Sequence, residues 1–130
     1  MDTRTERLLD IRGGALGTIS PQSSPEEIFQ NQTLRPILKF QNDLFLRTFI
    51  NYAVKQKGSF FELPIEKKLI YIDNVIQKDI KFRNALKGMI IAFFTVDEYD
   101  HYITNSSSLN KRMMNLLIER LKSQLQLLTI

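Results

Sequence analysis

The side chains best suited to chemistry in this sequence are a glutamate and a histidine one helical turn apart. Glu98 and His101 have the i,i+3 spacing with which two helices of a carboxylate-bridged di-iron bundle each supply a ligand pair. One chain supplies one such pair, so this metal site requires a dimer. The neighbouring Asp97 and Asp100 equally fit the acidic first turn of a short helix, which needs no metal. The sequence therefore predicts no bound metal and no cofactor. A metal site at Glu98 and His101 is the weaker alternative.

A second candidate site consists of polar residues within an apolar helical pattern. Asn42 lies about 40° from Leu38 on a helical projection, inside the apolar stripe, and Arg35 points nearly the same way. Together with Tyr52 these residues predict a ligand pocket or active site between helices. The alternative is a structural amide that bonds a helix end or a loop carbonyl, because an unpartnered buried amide costs roughly 1–3 kcal/mol.

A basic cluster offers a third kind of site, one for nucleic acid. Lys78, Lys81, Arg83 and Lys87 surround Asp79. The i, i+4, i+8 spacing of Asp79, Arg83 and Lys87 indicates a solvated stripe of ion pairs. Nucleic-acid binding also calls for a recognition helix or exposed aromatic side chains among the charges. The sequence therefore disfavours a nucleic-acid partner.

Composition limits the class of protein. The 130 residues are 43% apolar and carry a net charge of +4, which is typical of a single globular domain. There is no cysteine, so disulfides, thiolate metal sites and cysteine nucleophiles are excluded. The N-terminal segment has no continuous apolar stretch, and no apolar run approaches the roughly 20 residues of a membrane span. These features predict a cytoplasmic protein with no membrane partner.

Helical patterns account for the elements that would position these side chains. The segment Leu34–Lys57 is apolar around most of its circumference, which predicts a central helix buried by its neighbours. Further main helices are expected at 65–77, 80–94 and 109–128, and the middle two are either separate or one kinked rod. No segment alternates with the period of a strand. We therefore predict an all-α fold, a compact helical bundle of four main helices plus short N-terminal and connecting helices. Residues 1–23 are expected to form a partly flexible arm, and residues 24–130 a single domain.

The last helix has an apolar arc of roughly 200°, wide enough to touch two neighbours. Either the second neighbour is another copy, since C₂ dimers are the commonest soluble assembly, or the helix lies in a groove of its own chain. The interface candidates are Met114, Ile118, Arg120, Leu121 and Leu125. The leading hypothesis is therefore self-association as a homodimer, or binding to another protein, rather than catalysis. Ligand binding or catalysis near Arg35 and Asn42 is the alternative, and weak nucleic-acid binding is the second alternative.

Three segments resemble a family of small uncharacterised bacterial helical proteins. They are FQNQTLRPILKFQNDLFL (29–46), KDIKFRNALKGMIIAFFT (78–95) and LNKRMMNLLIERL (109–121). The resemblance covers most of the chain after residue 24 and implies a bacterial helical protein without an established activity. Members of such families are sometimes labelled glyoxalase. Glyoxalase I-type enzymes bind a divalent metal through His and Glu on strands of βαβββ units. This sequence has one histidine and no predicted strand, so that activity is not carried over.

Overall fold

The computed structural model describes residues 2–130, and all regular secondary structure in that range is helical. The α-helices are α1 (Thr3–Arg12), α2 (Pro25–Phe29), α3 (Arg35–Phe40), α4 (Asn42–Lys55), α5 (Ile65–Lys78), α6 (Ile80–Ile91), α7 (Val96–Ile103) and α8 (Ser106–Ser123). A π-helix (Gln30–Leu34) joins α2 to α3, and 3₁₀ turns follow α4 (Ser59–Glu62) and α8 (Leu125–Leu127). The all-α prediction is confirmed. None of the helices formed by residues 2–130 is long and apolar enough to cross a membrane.

Helix starts follow the capping residues of the sequence. Ser24, Asp79 and Thr95 each accept a hydrogen bond from a backbone N–H three residues later, which satisfies one of the unpaired donors of the first turn. Asp79 adopts an extended conformation, so α5 and α6 are two separate helices. Helix α1 begins in the same way, because the Asp2 side chain accepts a hydrogen bond from the Thr5 N–H.

The predicted central helix is divided in two. Gln41, with φ −91° and ψ 6°, lies outside the helical region, whose ψ is about −42°. The helix is therefore interrupted between α3 and α4, although the Gln41 N–H still bonds the Ile37 carbonyl at 2.9 Å. Four helices, α4, α5, α6 and α8, are the longest. The expected count of four main helices is nevertheless not matched in full, because one predicted rod became two helices.

Aromatic side chains of α4, α5 and α6 meet around Phe49, which is fully buried. Its ring centroid lies 5.2 Å from that of Phe60, 6.2 Å from that of Tyr71 and 6.3 Å from that of Phe82. Helix α8 closes the core against α5, α6, α7 and the π-helix. One stripe of the predicted apolar segment is thus buried by its neighbours, whereas its other faces are not, since Phe40, Leu44 and Val54 are 45–51% exposed.

The N-terminal helix α1 packs against α3. Leu8 and Arg12 are buried there, and the Leu16 N–H of the following loop bonds the Asn31 carbonyl of the π-helix at 2.8 Å. The N-terminal segment therefore carries a helix with tertiary contacts. Its treatment as an arm separate from residues 24–130 stays a prediction.

Candidate functional site

A groove between α3 and α8 collects the polar residues that interrupt two apolar stripes. It encloses about 440 Å³ and is lined by Arg35, Leu38, Leu116, Glu119, Arg120, Ser123 and Gln124. Arg35 and Leu38 have i,i+3 spacing on α3, and so do Leu116 and Glu119 on α8, so each pair lies on one helix face. The groove thus combines an apolar wall of two leucines with two guanidinium groups.

Asn42, the predicted pocket residue of α4, holds one of these guanidinium groups in place. Its side chain exchanges two hydrogen bonds with Gln124, because Nδ2 donates to Oε1 and Oδ1 accepts from Nε2, both at 2.7 Å. The same Asn42 Oδ1 accepts a hydrogen bond from Arg120 Nη1 at 3.2 Å. Asn42, at the start of α4, is therefore a half-buried amide whose hydrogen-bond partners lie at the end of α8. Its bond to Arg120 orients that side chain toward the groove.

Arg35 is oriented from the other side of the groove by the π-helix. Its Nε donates to Asn31 Oδ1 at 2.9 Å, and Asn31 Nδ2 donates in turn to the Thr18 carbonyl at 3.0 Å. Gly17 packs directly on this amide, since a Cβ at position 17 would lie 2.9 Å from the Asn31 side chain. The positive φ of Gly17, 98°, further favours glycine there. The loop after α1 thus holds the Asn31 side chain in place, and Asn31 in turn orients the guanidinium group of Arg35.

The groove is electropositive where the two arginines face it. Each guanidinium has five N–H donors, and the bonds described above use one on each, toward a neutral amide oxygen. Within residues 2–130, neither Arg35 nor Arg120 has a carboxylate oxygen within 4.0 Å. Burial of Arg120 and the charge of Arg35 lower the pKa of Arg120. Because an arginine stays protonated in proteins, this lowering reflects a positive charge that a bound anion would stabilise.

Tyr52, the third predicted pocket residue, lies elsewhere. Ten residues of helix separate it from Asn42, a distance of about 15 Å along α4. Its ring stacks on Phe82 with centroids 3.9 Å apart, and its hydroxyl donates to Asp79 Oδ2 at 2.7 Å. Burial and this hydrogen bond raise the pKa of Tyr52. The residue joins α4 to the start of α6 and does not contribute to the groove.

The carboxylate of Glu98 is fully engaged by other side chains. Arg12 donates from Nη1 to Oε1 at 2.7 Å and from Nη2 to Oε2 at 2.8 Å. The Thr33 hydroxyl donates to Oε2 at 2.6 Å, and the Thr95 backbone N–H donates to Oε1 at 2.8 Å. These bonds join α1, the π-helix and the start of α7 at one point.

The metal interpretation of Glu98 and His101 is accordingly not supported. Glu98 is committed to the ion pair, and the exposed ring of His101 packs against Phe29 with centroids 5.3 Å apart. Residues 2–130 contain no group of three or more metal-ligand side chains arranged to hold an ion. The i,i+3 spacing of this pair instead reflects the acidic first turn and capping box of α7.

Sequence reasoning missed Arg12, whose side chain is 1% exposed. Besides Glu98, it donates to the carbonyls of Phe93 at 3.1 Å and Gln32 at 3.3 Å. The one available signal was its i,i+4 spacing from Leu8, which puts both on the inner face of α1. Its partner lies 86 residues away in the chain, and a single sequence gives no indication of that pairing.

Acid should weaken the fold through Glu98. Burial raises the pKa of this carboxyl, but the hydrogen bonds from Arg12 and Thr33 outweigh that effect and hold the pKa below its usual 4.5. The unfolded chain then takes up a proton before the folded chain does, so the contribution is complete above the unfolded pKa and is lost as pH falls through the folded pKa. Urea unfolding at a series of pH values between about 6 and 3 measures the slope.

The matched variants for this acid effect are Glu98→Gln and Glu66→Gln, the latter removing an exposed carboxyl of α5. We expect Glu98→Gln to flatten the decline of unfolding free energy with acid, whereas Glu66→Gln keeps it. If the unfolding free energies of both variants fell equally with acid, the assignment of the acid effect to Glu98 would be contradicted.

The interface candidates of the last helix are divided between core and surface. Met114, Ile118 and Leu121 are at most 2% exposed, because the neighbouring helices of the same chain cover this arc. The chain itself therefore covers these three residues, and their predicted role in an interface between copies stays a prediction. Arg120 and Leu125 are partly exposed, and Arg120 belongs to the groove described above.

The basic cluster lies at the start of α6 and the end of α5. Lys78 and Lys81 are exposed, and Arg83 and Lys87 are partly exposed. The expected ion-paired stripe is absent from residues 2–130, because the carboxylate of Asp79 accepts from Tyr52 and the Phe82 N–H. That nucleic acid is not a partner of this cluster stays a prediction.

The comparisons with known proteins add no relative to this description. The resemblance to small bacterial helical proteins therefore stays a prediction, and function has to be argued from geometry alone. No protein-family model, no curated protein and no solved structure matches this chain.

Proposed function

We propose that this protein binds a small molecule carrying a carboxylate or phosphate group in the groove between α3 and α8. The observation that carries the proposal is the pair Arg35 and Arg120, two guanidinium groups that line one groove and form no ion pair within residues 2–130. Arginine recognises both carboxylate and phosphate because its planar fork of donors matches their oxygens. One hydrogen bond already holds each guanidinium group in place, which lowers the cost of ordering it on binding.

The orientation of the two arginines supports a binding role over a purely structural one. A structural arginine directs its donors inward, as Arg12 does toward Glu98 and two carbonyls. Arg35 and Arg120 each bond a neutral amide through one nitrogen and line an open groove with their remaining donors free for a ligand. Asn31 and Asn42 therefore act as positioning residues.

The walls of the groove suit a ligand with a short apolar body. Leu38 and Leu116 line the same 440 Å³ as the guanidinium groups, and this volume is within the usual range of ligand pockets, about 300–1,000 Å³. Binding would bury methylene groups against the leucines while the anion meets the arginines. No catalytic residue is assigned, and the proposal is one of recognition.

Isothermal titration calorimetry of the full chain tests this proposal with five probes: valerate, δ-aminovalerate, glutarate, glutamate and inorganic phosphate. We expect saturable binding of at least one probe. Arg35→Met and Arg120→Met should each weaken that binding by about tenfold or more, because a hydrogen bond to a charged group contributes roughly 1.5–3 kcal/mol.

Arg47→Met is the matched control for these variants, because Arg47 is exposed on α4 and does not line the groove. It should leave the affinity within about twofold, as an isolated surface charge has little effect. The proposal is overturned if no probe binds saturably, or if binding is unchanged in both groove variants.

Self-association, the leading hypothesis from the sequence, has less support. The apolar arc of α8 that suggested it is largely internal. A dimer would have to use other apolar side chains, of which Phe40 and Leu44 are 47% and 51% exposed on either side of the break at Gln41. Size-exclusion chromatography with light scattering at micromolar concentration decides this, and a monomer would contradict self-association.

A further inference from the structure

A third charged side chain lines the groove beside the two arginines. Glu119 immediately precedes Arg120 on α8, and its side chain is exposed. Consecutive positions of a helix point about 100° apart, so Glu119 does not lie over the guanidinium of its neighbour. Within residues 2–130, its carboxylate has no cation within 4.0 Å.

This carboxylate works against a ligand that is only an anion. A negative group brought to Arg35 and Arg120 also approaches Glu119, and like charges in one groove are unfavourable. A ligand with a positive group at its other end turns this repulsion into attraction. A groove with charges of both signs thereby rejects simple anions as well as accepting the correct ligand.

We propose that the groove selects a zwitterion, an anion that also carries an ammonium group, with Arg35 and Arg120 holding the acid and Glu119 facing the amine. This inference rests on the proposed function and specifies its ligand class. The ligand is amino-acid-like in chemistry, with an apolar spacer that contacts Leu38 and Leu116. Glu119 is then the specificity-determining residue, whereas the arginines supply affinity.

Two matched pairs of probes test the inference by calorimetry on the full chain at neutral pH and low ionic strength. Glutamate differs from glutarate, and δ-aminovalerate from valerate, by one amino group each. We expect the amino-bearing member of at least one pair to bind about threefold to fivefold more tightly, the upper part of the range for an ion pair near a surface. Added salt should reduce this preference, because screening weakens exposed pairs.

The variant Glu119→Gln separates this inference from the binding proposal. It should bring the affinity ratio within the preferred pair close to one, because the amino-bearing probe binds more weakly and the amino-free probe no longer meets a negative charge. Glu66→Gln, an exposed carboxyl on α5, should retain the full ratio. Because Glu119 is exposed and unpaired, its replacement leaves the fold intact, and circular dichroism verifies that.

Each result has a separate meaning. If probes bind through Arg35 and Arg120 but the amino group gives no advantage in either pair, the zwitterion inference is overturned and anion binding stands. The same holds if Glu119→Gln keeps the preference. If binding is indifferent to both arginines, the anion proposal fails and the inference fails with it.

Discussion

Replacing Arg12 by methionine lowers the free energy of unfolding by about 3–5 kcal/mol, the usual cost of removing one partner from a buried ion pair. The variant leaves the carboxylate of Glu98, whose side chain is 18% exposed, without its ion-pair partner. It also removes the donors to the carbonyls of Phe93 and Gln32. Urea unfolding followed by circular dichroism measures the loss. A methionine occupies a similar volume, so the effect reports the charge and its hydrogen bonds rather than an empty space.

The control for Arg12→Met is Arg7→Met, which removes an exposed arginine from the same helix. Exposed substitutions of this kind are usually within about 0.5 kcal/mol of the wild type. The double variant Arg12→Met/Glu98→Gln should be less destabilised than the sum of the single variants, since partners in one network couple. A loss below about 1 kcal/mol for Arg12→Met would contradict the central role of this pair.

Phe49→Ala is the second substitution with a large expected effect, again about 3–5 kcal/mol, because a phenyl ring lost from a packed core leaves a cavity. Phe49 is 0% exposed and contacts aromatic rings from the 3₁₀ turn after α4, from α5 and from α6. Thermal and urea unfolding both measure this effect. The comparison is Phe40→Ala, the same chemical change at a site that is 47% exposed.

Phe40→Ala should cost about 1 kcal/mol or less, since only part of its ring is removed from water. Equal losses for the two variants would show that the cluster around Phe49 is not the centre of the core. Neither residue lines the groove, so Phe40→Ala should also leave ligand affinity unchanged.

The sequence predicted much of this core because burial follows periodicity. Phe45, Phe49 and Ala53 belong to the stripe that a helical projection identifies, and all three are buried. Helix capping is also local, since the side chains of Ser24, Thr95 and Asp79 accept from backbone N–H groups only three residues away. Local chemistry is visible in a sequence, and these features are local.

The break at Gln41 and the position of Arg12 were not visible. The apolar pattern continues on both sides of Gln41, and Asn42, which follows the break, bonds Gln124, 82 residues away. Likewise, the wide arc of α8 could be covered by its own chain or by a copy, and periodicity does not distinguish these cases. Contacts between residues far apart in the chain determine these features, and a single sequence does not show which residues are in contact.

The candidate groove was predicted in part. Arg35 and Asn42 were selected because polar side chains interrupt an apolar stripe, and Arg120 was selected on α8 for the same reason. The sequence assigned them to different sites, a pocket and a dimer interface, and the structure brings the three together. Tyr52 had no comparable polar interruption to support it and lies elsewhere.

The π-helix has a consequence for how the chain tolerates changes in length. Three of its five side chains contact different parts of the fold: Gln30 bonds Arg112, Asn31 bonds Arg35, and Thr33 bonds Glu98. Deleting one residue here would rotate all that precedes it by about 100° relative to α3 and separate these partners. A surface loop absorbs an insertion or deletion easily, whereas this short helical segment fixes the residue count on which the groove and the Arg12–Glu98 pair both depend.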